Sequence, residues 1–550
     1  LVLASSSSSS ILEVYTGDAG PRSSLYAASL GGVAATPHVY ATQSPDADLE
    51  QIHAGIFCTL HGAWFCNRTV SWLDVGADAG AEVRVEIRLL PPLYLTPHDA
   101  ASVRLAPRTT VAHNLTVDVA RSAIRFTLTA TSRAQHVALS WGARRAAEAG
   151  RRAARSSYAH AFYLFLGARD PAPPSAAALA NGSAVLFTAG RHFLNTTSSD
   201  ACSAEGVLQL PPTVAVVHLA RGAWLEGRFN VTAGGEETLR TAPLNVVGHG
   251  VMSGARYAWH GGGVADALRM VEPAWGVPLH IEGMTIVDSR GHALILPPHS
   301  HAVDVRIIGW LFNEDGVWIT SHSTLRDAFV RTNDDAVRIY AGAVDHWDPH
   351  KPPPPRDGRP ATHVLVDGLV AHQLFNGAVL QLGWEDAGTA HCVARDVVVL
   401  AAEWYDRGAA TGDNNAVLSL QSPQYDLAMV ETHRNFTLER VVVERPVGRF
   451  VTIALRGAAP RGAGCSTFNG LAVRSAVLSE PMAWFATNLS APTSSPGGSS
   501  GSRLVALGCD VIENVRFADV ALAGVRVDGD AERAARVRAP EIASLWTTSS

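Results

Sequence analysis

The sequence predicts an all-β protein in which an N-terminal β-sandwich precedes a right-handed parallel β-helix. Three apolar, strand-like segments begin 22 residues apart, at Ile281, Val303 and Leu325. Related segments recur with longer loops between some of them, at Val364, Val393, Leu438 and Ile512. One strand per repeat of this length is typical of coils stacked in parallel, because a single coil cannot bury its own apolar face. A leucine-rich repeat has a similar period, but its Leu-x-x-Leu-x-Leu signature is absent.

The region before the repeats has the two-residue period of half-buried antiparallel strands. Residues 83–89 alternate strictly between apolar and charged side chains. Ile124, Phe126 and Leu128 repeat the apolar half of this pattern in a second segment. Short strands of this kind predict a β-sandwich over residues 13–168.

Composition marks the remaining boundaries of the chain. Residues 1–12 contain an unbroken serine run and are predicted to be disordered. A proline-rich linker at 170–174 separates the sandwich from the β-helix, which we expect over residues 175–540. A second proline-rich segment, 348–360, is predicted to form a stiff extended loop. The arginine-rich stretch 144–155 lacks interleaved aromatic residues, which favours an exposed loop over a nucleic-acid patch.

The overall composition excludes several classes of protein. The chain has 550 residues, of which 47% are hydrophobic and 17% charged, so it can bury a large core. A net charge of -6 with mixed signs gives no reason to expect a nucleic-acid partner. No apolar run is long enough to cross a bilayer as a helix, so no membrane span is predicted. We expect a monomer that requires no cofactor.

Glycosylation motifs indicate an extracellular protein. Seven Asn-X-Ser/Thr sites occur, at Asn67, Asn114, Asn181, Asn195, Asn230, Asn435 and Asn488. Single matches arise by chance, but seven in one chain fit passage through an oxidising secretory route. The apolar residues 1–4 are also compatible with the remainder of a removed signal sequence.

The six cysteines agree with this compartment. Cys58 and Cys66 are close enough in sequence to close a small loop, and we predict a disulfide between them. The other four have several possible pairings: Cys202, Cys392, Cys465 and Cys509. None of the cysteines forms a close Cys-x-x-Cys pair of the kind that binds zinc, so no metal site is expected.

Three aspartates form the most informative cluster in the chain. Asp315 lies 19 residues before the pair Asp334 and Asp335, which is about one turn of a stacked coil. The three carboxylates should therefore lie close together and raise the pKa of at least one member. Hydrolysis of a glycosidic bond needs such a set, with one protonated acid and one ionised base. The alternative is a group of solvated turn aspartates, because Asn-Asp and Asp-Gly favour turns.

Four blocks resemble the dextranases and isopullulanases of glycoside hydrolase family forty-nine. Residues 333–340 (Asn-Asp-Asp-Ala-Val-Arg-Ile-Tyr) look like that family's Asn-Asp-Asp-Ala-Ile-Lys-Ile-Tyr block. Residues 315–316 stand at the family's spacing upstream, and residues 248–254 resemble its Gly-His-Gly-Ile-Leu-Ser-Gly turn. Asn376 and residues 381–384 resemble its Asn…Gln-Met-Gly-Trp segment. The similarity covers residues 185–410 or so and is weak in the sandwich.

The resemblance implies a sandwich followed by a β-helix, and an inverting endo-hydrolase of α-glucans with dextran as the first candidate substrate. Carried over by position, Asp334 is the general acid, and Asp315 and Asp335 hold and deprotonate the attacking water. Arg338 stands where the family has lysine, and the proline-rich insertion after Tyr340 departs from the family pattern.

Five residues in or near these blocks are candidates for binding glucose units: Trp384, Gln381, Asn376, Arg338 and Tyr340. The indole face of Trp384 matches the apolar face of a pyranose. Asn376 and Gln381 offer amide groups to sugar hydroxyls. Their structural alternative is an amide ladder inside the coils.

Three other functions compete with dextran hydrolysis. Pullulan hydrolysis differs only in subsites that loops control. A polygalacturonase also has an Asn-x-Asp and an Asp-Asp pair, but it needs a later Gly-His-Gly and an Arg-Ile-Lys, and both are absent here. A non-catalytic carbohydrate-binding β-helix would not need all three aspartates.

Overall fold

The computed structural model describes residues 2–4, 11–14, 19–35, 37–41, 69–142, 160–195, 202–203, 206–232, 242–257, 269–273, 276–289, 291–310, 314–341, 359–373, 377–383, 388–402, 416–421, 430–444, 450–455, 465–478, 503–506, 511–522 and 525–530. Within these residues the regular structure consists of forty β-strands and two short α-helices. The predicted all-β class is therefore confirmed. Neither of these helices has the length and apolar character of a membrane span.

The N-terminal part is a sandwich of two sheets. Its strands are β1 (Val2–Ala4), β2 (Ile11–Val14), β3 (Tyr26–Leu30), β4 (Val33–Ala35), β5 (His38–Ala41), β6 (Thr69–Ala77), β7 (Glu82–Leu89), β8 (Arg104–Ala106), β9 (Ala112–Asp118), β10 (Ala123–Thr129), β11 (Gln135–Ser140) and β12 (His160–Gly167). One sheet has the order β1-β2-β6-β12-β11-β8 with β5 also paired to β6, and the other has the order β4-β3-β7-β10-β9. Helix α1 (Pro97–Ser102) precedes β8.

Alternation of apolar and polar residues places the sandwich core as the sequence predicts. Val85 and Ile87 of β7 face inward, and they stand opposite Phe126 and Ile124 of β10 in the antiparallel register. Every second side chain of β7 is buried, which is the two-residue period of a strand with one solvated face.

The first two strands lie partly where disorder is predicted. β1 pairs with β2, and β2 pairs with β6 at the edge of the larger sheet. Leu12 and Val14 are buried in the sandwich core. The expectation of disorder through residue 12 therefore does not hold for these strands, because apolar residues on both sides of the serine run gain sheet partners.

The second part of the chain is a right-handed parallel β-helix, as predicted. Helix α2 (Ala176–Ala180) leads into it. Its strands are β13 (Ala184–Phe187), β14 (Gly190–Phe193), β15 (Val207–Leu210), β16 (Val216–Leu219), β17 (Ala223–Glu226), β18 (Arg228–Val231), β19 (Leu244–Val247), β20 (Val251–Ser253), β21 (Val271–Pro273), β22 (Leu279–Glu282), β23 (Thr285–Val287), β24 (Leu294–Leu296), β25 (His301–Val303), β26 (Arg306–Ile308), β27 (Val317–Ile319), β28 (Thr324–Thr332), β29 (Val337–Ile339), β30 (Ala361–Thr362), β31 (Leu365–Gln373), β32 (Leu380–Gly383), β33 (Thr389–Ala402), β34 (Leu418–Gln421), β35 (Thr432–Val443), β36 (Val451–Leu455), β37 (Thr467–Leu478), β38 (Arg503–Ala506), β39 (Val511–Leu522) and β40 (Val525–Asp530).

These strands form two assemblies that run along the coil axis. Ten strands form one sheet in the order β15-β18-β21-β24-β27-β29-β32-β34-β36-β38. Eighteen strands form the other, which ends with the antiparallel pair β39 and β40. The parallel register places Ala302 beside Ile281 and Leu325 beside Ala302. Successive coils in this region therefore follow the period read from the sequence to within one residue.

The sandwich packs on the 18-stranded assembly. Tyr163 and Phe165 of β12 contact Phe329 of β28, with ring centroids 4.6 and 5.0 Å apart. The buried Arg306 guanidinium joins the two domains through Asp74 of the sandwich and Asp304 of the β-helix. A cluster of buried apolar residues lies between the two domains, and its buried members from the β-helix all belong to the 18-stranded assembly. The outer face of the ten-stranded sheet lies away from these contacts.

Candidate active site

The three aspartates stand directly before two neighbouring strands of the ten-stranded sheet. Asp315 precedes β27, and Asp334 and Asp335 precede β29. Val317 stands opposite Val337, so Asp315 lies beside Asp335 with Asp334 one position earlier. The Gly316 amide donates to the Asp335 carbonyl at 2.8 Å, which links the two coils at this point.

All three carboxyl groups are removed from most solvent contact. Only 5–8% of the surface of Asp315, Asp334 and Asp335 is exposed. Burial and then the charge of Asp334 raise the pKa of Asp335 to about 8. Burial, followed by the charges of Asp334 and Asp335, raises the pKa of Asp315 well above its usual value. Because Asp315 and Asp335 bind their protons more tightly than ordinary carboxyl groups do, the site retains protons at neutral pH.

Backbone groups hold the aspartate pair in position. The Ala378 amide donates to Asp335 Oδ1 at 2.7 Å, and the Asp335 amide donates to Asp334 Oδ1 at 2.9 Å. The Asp334 carbonyl accepts from Gln373 Nε2 at 2.6 Å. Gly377 lies beneath the pair on the next coil, where a Cβ would come within 2.4 Å of the Asp335 nitrogen. The next coil therefore fixes where both carboxyl groups point.

An aromatic and cationic stack covers the outer face of the sheet beside the aspartates. Trp318 Nε1 donates to Asp315 Oδ2 at 2.6 Å. The Arg338 guanidinium carbon lies 4.4 Å from the Trp318 ring centroid and 4.9 Å from that of Tyr340. Contact with the two ring faces holds the Arg338 guanidinium in place. Its positive charge lowers the pKa of both Asp315 and Asp335, against the larger effect of burial.

His292 is a site residue that the sequence reasoning missed. Its ring centroid lies 3.9 Å from that of Trp318, and its Nε2 lies 3.8 Å from Asp315 Oδ2. Burial, followed by the charges of Arg269 and Arg338, lowers the pKa of His292 well below 6.5. The side chain is therefore a neutral imidazole at neutral pH. His292 lies one coil before Asp315 in the strand register. Counting one repeat period back from Asp315 in the sequence would therefore have identified it.

The structure separates the predicted sugar-binding residues into two groups. Gln381 is fully buried and donates from Nε2 to the Leu382 carbonyl at 2.8 Å. It stands beside Arg338 in the strand register, whereas Leu380 and Leu382 belong to the inner core, so its side chain lies on the face of the aspartate site and not inside the coils. Arg338 and Tyr340 are buried members of the stack beside Asp315. Asn376 and Trp384 lie outside the described residues.

The predicted glycosylation and disulfide residues are distributed as follows. Asn114, Asn181 and Asn435 are exposed, whereas Asn195 and Asn230 are half-buried. Outside the described residues lie Asn67, Asn488, Cys58, Cys66 and most of the insertion 348–360. Cys202 and Cys392 are both buried in the β-helix.

Comparison with known proteins shows that the chain is similar to dextranases. No family model matches the chain. Dextranases from Arthrobacter sp. (strain CB-8) and Arthrobacter globiformis are each 24% identical to it over 197 residues, which is 32% of this chain and 27% of the dextranase. The alignment thus spans about a quarter of the length of these curated relatives.

A solved structure shares the fold along nearly the whole chain. Dex49A from Penicillium minioluteum has a TM-score of 0.65 at 14% identity, over 93% of this chain and 91% of that one. The comparisons confirm the right-handed parallel β-helix. They also support the predicted resemblance to the dextranases of glycoside hydrolase family forty-nine.

Proposed function

We propose that this chain is a glycoside hydrolase that cleaves α-glucan linkages, with the α-1,6 bonds of dextran as its substrate. The observation that carries the proposal is the set of three buried carboxyl groups on two adjacent coils. Burial and the neighbouring carboxylates raise the pKa of Asp315 and of Asp335, so the set keeps at least one proton at neutral pH, which the adjacent carboxyl groups can share with Asp334. The sequence similarity to dextranases supports the choice of substrate.

The proposed chemistry is a single displacement. Asp334 donates a proton to the glycosidic oxygen as its bond to the anomeric carbon breaks. Asp315 removes a proton from the water that attacks that carbon from the opposite face, and Asp335 keeps its own proton and holds this water by a hydrogen bond. One coil step of about 4.8 Å and one residue step of about 3.3 Å separate the backbones of Asp315 and Asp334 by about 6 Å. Inverting enzymes hold their two carboxyl groups about 6.5–9.5 Å apart, so the proposal requires the side chains of Asp315 and Asp334 to diverge slightly from their backbones.

Product release from a panel of polysaccharides tests the proposed activity. We expect purified protein to release reducing ends from dextran, at a lower rate from pullulan, and not from polygalacturonate. Asp334→Asn should lower the rate on dextran by about 10²–10⁴-fold, because an amide cannot donate the proton. Asp396→Asn is the matched control, since this partly exposed carboxylate pairs with Arg440 on the other sheet. Absence of release from every α-glucan would refute the proposal.

Leaving-group chemistry distinguishes the acid from the base. A dinitrophenyl leaving group departs without protonation, so an isomalto-oligosaccharide that carries it bypasses the general acid. We expect Asp334→Asn to retain most activity on this substrate and Asp315→Asn to lose activity on both. Asp335 is protonated at neutral pH, since its pKa is about 8. If Asp335→Asn instead shows the behaviour expected of Asp334→Asn, the acid role passes to Asp335.

We also propose that the chain is secreted and glycosylated. The support is the number of Asn-X-Ser/Thr sites and the exposure of Asn114, Asn181 and Asn435. Asn230 is half-buried and donates to Gln209 Oε1 at 2.8 Å, so we expect it to carry less glycan than the exposed sites. Glycopeptide mass spectrometry of protein from its native host measures the occupancy. Unmodified asparagine at all three exposed sites would contradict secretion by this route.

A further inference from the structure

Four histidines on successive coils form a stacked row on the protein surface. His299, His322, His363 and His391 are exposed, and their ring centroids are 5.0, 5.1 and 5.4 Å apart in that order. The planes of the first two rings differ by 3°, and those of the next pair by 10°. We refer to these four residues as the histidine row. It has no part in the proposed hydrolysis.

The backbone fixes the spacing of the histidine row. All four residues have a positive φ between 56° and 65°, at a bend that every coil repeats. The following coils place Asn435, Gly470 and Asn514 at the same position, also with positive φ. Glycine and asparagine adopt this conformation most readily. The four coils before Asn435 instead carry histidine, which also tolerates this conformation and adds an imidazole that glycine and asparagine lack.

We propose that the histidine row binds divalent transition-metal cations, each ion held by the imidazoles of two neighbouring coils. The class is that of cations with a preference for imidazole nitrogen, such as Ni²⁺, Cu²⁺ and Zn²⁺. Within the described ranges no three His, Cys, Asp or Glu side chains converge on one point. In the proposed site two ring nitrogens hold each ion, and water completes its coordination.

The spacing of the rings suits a two-imidazole site. Histidines four residues apart on a helix chelate zinc with their Cβ atoms about 5–6 Å apart. Neighbouring coils are about 4.8 Å apart, so the Cβ atoms of adjacent histidines in the row are separated by a similar distance. Metal–nitrogen bonds are about 2.0–2.1 Å long, so two stacked rings need only tilt toward each other to share an ion. The rings are exposed to solvent, which permits that tilt.

The existing contacts of the row do not prevent coordination. His322 Nε2 lies 3.4 Å from Thr362 Oγ1, and Asn435 Nδ2 lies 3.3 Å from His391 Nδ1. Hydrogen bonds of this length are weak and are easily exchanged for a metal bond.

Calorimetric titration with Ni²⁺ at neutral pH tests the proposal. Four rings form two separate pairs, so we expect His322→Asn/His363→Asn to bind two fewer equivalents than the unaltered chain. Ni²⁺ should raise the Tm of the unaltered chain because each bound ion links two adjacent coils, and this rise should be lost in the variant. Asparagine already occupies the same bend at Asn435, so the replacement keeps a residue that suits the backbone.

The control variant removes the same number of imidazoles from elsewhere. His98→Asn/His113→Asn alters two exposed sandwich histidines outside the row and should leave the stoichiometry unchanged. If the row variant does not fold, His391→Asn replaces it and should lose one equivalent. Equal Ni²⁺ stoichiometry in the row variant and the unaltered chain, or an equal loss in the control, would overturn the proposal.

Discussion

Gly377 offers a test of how tightly the aspartate pair must be held. Its φ is +72°, and a Cβ at this position would lie 2.4 Å from the Asp335 nitrogen and 2.7 Å from Asp334 Oδ1. Ordinary contacts of a Cβ begin near 3.4 Å, so Gly377→Ala must displace the pair by about an ångström. A displacement of about 1 Å in a catalytic group can lower the rate by about 10²-fold. We therefore expect the turnover of dextran to fall by about that factor.

Gly182→Ala separates this effect from backbone strain. Gly182 has the same φ of +72°, but nothing lies within 4 Å of its added Cβ. Both variants bear the cost of a left-handed alanine, about 1–2 kcal/mol of stability. Only Gly377→Ala moves the carboxyl groups.

Reducing-end release from dextran and thermal unfolding are measured for both variants under the same conditions. The two Tm values should fall, with the larger fall for Gly377→Ala, whereas only that variant should lose most of its turnover. If folded Gly377→Ala keeps its rate within about threefold of Gly182→Ala, the next coil does not position the aspartates as described.

Three further perturbations follow from the charges of the molecule. Activity should fall as pH rises through about 8, because Asp335 then loses its proton and the set no longer holds one for the leaving oxygen. The unfolding free energy should also fall as pH rises from the usual 3.8 to about 8, because the folded state binds this proton more tightly than the unfolded state does. A rate that is constant from roughly pH 6 to 9 would contradict this. Arg338→Lys keeps the positive charge but loses the planar contact with the rings of Trp318 and Tyr340, so kcat/KM should fall roughly tenfold. An unchanged kcat/KM would show that this contact is dispensable. Arg306→Met removes the buried guanidinium from Asp74 and Asp304 at the domain contact and should cost about 3–5 kcal/mol in urea unfolding. Arg88→Met, which removes an exposed pair with Glu86, should cost almost nothing.

Most of what the sequence could predict about the β-helix and the aspartate site came from the period of the coils. It placed Asp315 beside the later pair, although the register aligns Val317 with Val337, so Asp315 faces Asp335 and not Asp334. The same period applied backwards from Asp315 reaches His292, which has no acidic motif around it to draw attention. Periodicity therefore identifies neighbours between coils of constant length.

Other features depended on contacts that no local pattern encodes. Gln381 matched a family block, but its burial depends on coverage of the outer face of the sheet. The members of the histidine row are unevenly spaced in the sequence, because loops of different length interrupt the coils. Only the strand register shows that His363 stacks on His322. The pairing of β1 with β2 likewise spans a serine run without a pattern of its own.

The anomeric configuration of the first product tests the central claim most directly. An acid and a base on adjacent coils with water between them invert the anomeric carbon in one step. Proton NMR of dextran hydrolysis, recorded within minutes of mixing and before mutarotation, should show the β-anomer first. An α-anomer as the first product would require a covalent intermediate on an aspartate, and it would contradict the assignment of Asp315 as the residue that activates water.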